Sequence, residues 1–410
     1  MLRKPGLLLI AILFAYSLLI PGTARAGTTI NVTTDHDELN SDGDCSLREA
    51  VRAANLDLAV DACPAGSGDD TIVLPAGTYM LSIPGQNEIE SKTGDLNITG
   101  DQGLAIQGAG ADKTIIDGGG IDRVFMIGSQ SADVSISGVT IQHGELPSGN
   151  GGGGILNWGS LFLDHIVIRD NLVHGTASDD VGGGICNGCG PGTGTVTMID
   201  STVTENSAER GGGIFSNSVM TITKSAIIGN TAMAGGGLIN YGSMTLTNCT
   251  LNGNSGSNNG GAILQDAGDL TLTNCTVAGN NSPIGGGISF IAGAVTMYNN
   301  IMANSPDANC IDAVNPSGNH NLEDQDTCGF TASGDQVNTD PLLAPLADNG
   351  GPTLTQALLP GSPAIDAGAS GKCPSVDQRG EPRPSGSACD LGAFEATLYN
   401  LYLPIVLKAH

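Results

Sequence analysis

The chain has 410 residues, 41 of them acidic and 15 basic, for a net charge of −26. A surface this negative repels nucleic-acid phosphates and anionic lipid headgroups, so nucleic-acid binding is excluded. With 62 glycines, 3 % aromatic and 14 % charged residues, yet 40 % hydrophobic, the composition fits neither an ordinary globular domain nor a disordered chain.

Residues 1–26 read as an export signal. Arg3 and Lys4 give a positive start, Gly6 to Ile20 form an apolar run, and Ala24-Arg25-Ala26 predicts cleavage before Gly27. The run is short for a bilayer span, so no transmembrane helix is expected in the mature chain. Ten cysteines in an exported chain point to an oxidising compartment. Sequence proximity pairs Cys45 with Cys63, Cys186 with Cys189, Cys310 with Cys328, and Cys373 with Cys389, without fixing the connectivity. Cys249 and Cys275 are left over, and small buried thiols are the preferred reading for them.

Residues 27–68 are expected to form an N-terminal cap on the repeat region that begins at residue 69. Ser46 followed by Glu49 has capping-box spacing, and Leu47, Ala50, Val51 and Ala54 share one helical face. The prediction is a short amphipathic helix lying across the first coil, tied down by Cys45. The run Cys45-Ser46-Leu47-Arg48-Glu49-Ala50 matches, residue for residue, the motif of the CSLREA domain, and so resembles the start of exported bacterial proteins of that family. Arg48 and Glu49 fit a structural ion pair or cap better than a catalytic pair.

Residues 69–335 carry a repeat. A glycine-rich step precedes an aliphatic residue at Ile155, Ile185, Ile214, Leu238, Ile263 and Ile288, and an asparagine comes after each at Asn171, Asn206, Asn230, Asn254, Asn280 and Asn304. Between these markers runs a period-two apolar pattern with one slip per unit: Met244 and Leu246 then Cys249 and Leu251, and Leu270 and Leu272 then Cys275 and Val277. Alternation means a strand with one buried face, and the recurrent slip means a corner at which the chain keeps its apolar side inward. Each coil then holds three short strands and three bends. Glycine supplies one bend, and asparagine, in the left-handed region, another. One inward file should read Ile166, Ser201, Ser225, Cys249, Cys275 and Asn300. Asp70 to Tyr79 resembles the opening coil of pectate-lyase-like β-helices, and the Gly-Gly-x-Ile repeats are similar to those of polymorphic outer-membrane proteins. The expected fold is all-β: a right-handed parallel β-helix solenoid with a short N-terminal α-helical cap and an irregular C-terminal cap.

Residues 336–395 change texture. Gly361 to Gly368, Asp377-Gln378-Arg379-Gly380 and Cys389 to Glu395 resemble the choice-of-anchor Q domain, whose members sit before a surface-anchoring signal. A compact lid over the last coil is expected here. Asp366, Asp377, Asp390 and Glu395 form an acidic set in which loop hydrogen bonds and a salt bridge to Arg379 are preferred over a calcium ion. The tail, 396–410, is apolar but too short to span a bilayer and contains Pro404.

No catalytic constellation stands out. The histidines lack His-Glu-x-x-His spacing, and there is no phosphate-cradling Gly-x-x-x-x-Gly-Lys. No cofactor is expected, calcium being the one open possibility. Two units are longer than the rest, after Asn171 and around Cys186 to Gly194, and such insertions become loops, often on a binding face. The ligand site is therefore expected among His174, Asp179, Asp180, Arg169, Glu205, Glu209 and Arg210. The favoured function is a secreted or cell-surface module, adhesin-like or structural, that contacts polysaccharide or other surface components. The alternative is a polysaccharide lyase or glycoside hydrolase near the inserted loops.

Overall fold

The computed structural model describes residues 27–397 apart from 87, 148, 150 and 312–315. The export signal expected over 1–26 and the tail from 398 onward lie outside the described residues.

The chain winds into a right-handed parallel β-helix. Its coils contribute in turn to an eleven-stranded sheet running from Thr29–Asn31 to Ser317–Asn319, a ten-stranded sheet from Gly77–Met80 to Leu322–Glu323, and a nine-stranded sheet from Leu96–Ile98 to Cys310–Ile311. Every pairing within these three is parallel, and the register follows the repeat. Ile155, Ile185, Ile214, Leu238, Ile263 and Ile288 are consecutive partners in the nine-stranded sheet. Leu161, Val196, Met220, Met244, Leu270 and Val295 are consecutive partners in the eleven-stranded one. These side chains are buried and belong to one continuous core.

The slip in the alternation has a single cause. The residue between the eleven- and ten-stranded sheets lies in the left-handed region in coil after coil: His165, Asp200, Lys224, Asn248, Asn274, Asn299 and His320, with φ between 49° and 58°. One such residue turns the chain and restores the apolar side to the interior. The next residue of each coil faces inward, so Ile166, Ser201, Ser225, Cys249, Cys275 and Asn300 form the expected file, which Asn321 extends by one more coil. Ser201 N–H donates to Ser225 Oγ at 3.2 Å and Cys275 N–H to Asn300 Oδ1 at 2.8 Å. Cys249 and Cys275 are buried free thiols.

Three expectations about the coil need correction. Asn304 is left-handed as expected, but the other bend asparagines are not; the residues before them are, at Asp170, Glu205, Gly229, Gly253 and Gly279. The asparagines point inward as a ladder, Asn171, Asn206, Asn230, Asn254 and Asn280, each Nδ2 donating to the next Oδ1 at 2.9–3.0 Å. The next coil places Ser305 in that file, next to Gly286, while Asn304 is the left-handed residue before it. A fourth strand also comes after this bend in five coils, forming a five-stranded sheet from Glu145–Leu146 to Ser255–Asn259.

Both ends of the core are covered. The helix Leu47–Leu56 begins at the predicted capping box, Ser46 Oγ accepting Glu49 N–H at 3.2 Å and Glu49 Oε2 accepting Ser46 N–H at 3.0 Å. Arg48 is fully buried, pairs with Asp37 at 2.6 Å and donates to Gly94 O at 2.8 Å, a structural role. At the far end, Cys328 and Phe330 join the core beside the Cys310–Cys328 disulfide. All four proximity pairs are disulfides.

The C-terminal region caps the last coil only with its first residues, where Gln336 pairs with Leu322 and Val337 packs on the core. The rest runs back along the solenoid and covers the outer face of the later strands of the ten-stranded sheet. There Leu358, Ala364 and Leu391 pack on Ala278, Ile301 and Ala303. Asn248 donates to Val376 O at 2.8 Å, and Thr250 Oγ1 to Gln378 Oε1 at 2.7 Å.

Candidate functional site

Outer faces left open by this region carry the clefts. One lies on the nine-stranded sheet, where Leu156 pairs with Met126. Trp158 comes just after that strand, and its indole N–H donates to the Cys189 carbonyl. The loop closed by Cys186–Cys189 stands beside it, so Leu156, Cys186 and Cys189 form an apolar cluster against Met126 and Trp158. Pro191 from the same inserted loop completes one wall of a cavity of about 240 Å³.

The rest of the lining is mainly acidic and comes from the preceding coils. Glu88, Asp95, Asp122 and Arg123 belong to it. Asp95 is 4 % exposed, accepts Asn97 Nδ2 at 2.7 Å and meets Arg123 Nε at 3.0 Å. Burial, then the charge of Asp122, outweighs Arg123 and pushes the Asp95 carboxyl up to about 7. Burial also raises Asp122. Two carboxyl groups joined by one guanidinium thus stand beside the sole tryptophan of the chain, a pairing of shifted acids with an apolar wall that marks functional clefts.

A second groove, of about 630 Å³, crosses the ten-stranded sheet. Ile115, Val167, Thr140 and Thr202 form its floor, His165, Arg169, Asp112 and Asp200 its polar positions, and Pro352 of the C-terminal region its far lip.

The side chains expected to share a ligand site are spread over three surroundings. Arg169 lies in the second groove, 3.3 Å from Asp170, and exposed Glu205 comes after Asp170 in the adjoining corner file. His174 pairs with Glu145 at 2.6 Å, while Asp179 is exposed nearby. Asp180 is 1 % exposed and commits both oxygens to the N–H groups of Gly149 and Ala177, so it staples the inserted loop instead of facing a ligand. Arg210 pairs with Asp266 at 2.9 Å and bonds Tyr241, and Glu209 is half-buried on the same strand. Asp95, Asp122, Arg123 and Trp158 were not in that set. A lone tryptophan beside a long unit was the available signal.

Two arrangements of described residues hold donors close enough for a metal ion. Before the cap helix Glu38, Asp42 and Asp44 converge, and Asp44 also meets Glu49 of the helix and Asp61 beyond it. The spacing Glu38-x-Asn40-x-Asp42-Gly43-x5-Glu49, running into a helix, is that of an oxygen-donor calcium loop with Glu in first place. The other is Asp164 with His165 and Asp200, the last two of which line the second groove. The C-terminal acids are engaged internally: Asp377 holds Arg379 at 2.8 Å, Glu395 holds Arg383 at 3.0 Å, and Asp390 accepts Asp366 N–H. Among the described residues no helix is long and apolar enough to cross a membrane.

No family model matches the chain, and no curated protein matches it. Among solved structures it is similar to the crystal structure of pectate lyase Pel9A, at 16 % identity and a TM-score of 0.47, over 90 % of this chain and 96 % of that one.

Proposed function

We propose that this is an exported, surface-acting β-helix protein that binds a polysaccharide, with the cavity beside Trp158 as its recognition site. The observation that carries this reading is the placement of an indole and the apolar Met126 and Leu156 around one cavity with Glu88, Asp95 and Asp122. A sugar ring offers an apolar C–H face to such a wall and hydroxyl donors to carboxylates. The four disulfides support an oxidising compartment. Net charge of −26 and acids at the site disfavour a polyuronate, so the preferred ligand is neutral. Residues 27–397 applied to immobilised neutral and acidic polysaccharides should be retained on a neutral one, and Trp158→Ala should abolish retention. Retention unaltered by that change would remove the assignment.

One observation favours a second reading, glycoside hydrolysis. Asp95 keeps its proton up to about pH 7 beside Asp122, the condition of a general acid paired with a second carboxyl. Chain cleavage by the native protein that Asp95→Asn abolishes, with retention intact, would establish it.

A further inference from the structure

The corner between the eleven- and ten-stranded sheets presents one outward side chain per coil, and in three successive coils these are His165, Asp200 and Lys224. Coils stack about 4.8 Å apart, so the three side chains project from one file. Asp164 precedes His165 and lies beside it, Oδ1 to Nδ1 at 2.7 Å. One donor atom from each of Asp164, His165 and Asp200 lies within 4.8 Å of the other two.

Asp200 is the unusual member. It is 9 % exposed, its Oδ2 accepts Lys224 Nζ at 2.8 Å, and its Oδ1 is buried without a hydrogen-bond partner. A buried carboxylate oxygen left without a donor is costly, and native proteins rarely leave one so unless something else fills the place. Lys224 satisfies one oxygen only.

We propose that Asp164, His165 and Asp200 form a binding site for a divalent first-row metal ion of the zinc type. The donor set decides the class: an imidazole with two carboxylates suits zinc and its neighbours, whereas calcium takes six or more oxygens. Three protein ligands leave a coordination position open to the groove that Arg169, Thr202 and Pro352 line, where water or a ligand oxygen would bind. The Asp164–His165 contact is then the metal-free arrangement, in which the imidazole and carboxylate satisfy each other. Lys224 opposes the ion by charge. This site is independent of the cavity beside Trp158 and stands or falls without it.

The test uses the chelator-treated protein and zinc ion alone, monitored by calorimetry, with cobalt(II) absorption reporting the coordination. One ion per chain at micromolar affinity or tighter is expected. His165→Ala and Asp200→Asn should each weaken binding roughly tenfold or more, and Lys224→Met should strengthen it. Circular dichroism checks that each variant remains folded, and Trp158→Ala should bind zinc as the native protein does. No zinc uptake by the native chain would overturn the proposal. So would binding that survives His165→Ala with Asp200→Asn but is lost in Asp42→Asn, which would place the ion in the loop before the cap helix.

Discussion

Asp95 illustrates how one residue's surroundings set its chemistry. Its ordinary carboxylate value is 3.8, and burial beside Asp122 moves it to about 7. The protonated form therefore stabilises the fold fully below about pH 3.8, and this contribution is lost as pH rises through about 7. Asp390, pushed by burial to about 6, slopes in the same direction. Melting temperatures measured across this range should fall more steeply for the native protein than for Asp95→Asn; parallel curves would show that Asp95 is not the source. Nothing in the sequence around Asp95 marks it, because its shift comes from burial under the folded chain and from the charge of Asp122 in the next coil, against the opposing charge of Arg123. Asp180 teaches the converse. An acid in an inserted loop reads as a ligand, but its two oxygens are consumed by N–H groups of Gly149 and Ala177 that spacing alone does not bring near.

The coil is the element, and its polar interior files fix how coils stack. Asn230 Oδ1 accepts Asn206 N–H and Nδ2, while its own Nδ2 donates to Val203 O and Ile228 O. Asn230→Ala strands these groups in a dry interior, at a cost of about 2–4 kcal/mol, readable as a lower midpoint in denaturant unfolding. A third file, Asn157, Asn187 and Ser216, joined at 3.0–3.2 Å, works the same way and went unread, because its members differ in type. The asparagine ladder was legible because asparagine recurs; its misplaced last member, Asn304 for Ser305, shows the limit. The repeat marks a position to within one residue, and the left-handed corner decides which neighbour turns inward.

At the scale of the molecule, the solenoid has a flank to protect as well as two ends. Ala278, Ile301 and Ala303 on the outer face of the ten-stranded sheet would meet water if residues 336–397 were absent. A chain ending at residue 335 should therefore keep its β-sheet signal in circular dichroism but self-associate in sedimentation, as exposed apolar patches promote. A monomeric truncated chain would show that this cover is dispensable. The sequence by itself determined the winding: apolar alternation, the recurrent slip and the glycine steps are local, repeat coil by coil, and admit one way of keeping the same face inward. The N-terminal helix was legible for the same reason, since its capping box lies within four residues. Only the tertiary structure decided where the irregular C-terminal segment lies and which side chains share a cleft. Those contacts join residues such as Asn248 with Val376, and Thr250 with Gln378, whose distance along the chain bears no periodic relation to their distance in space.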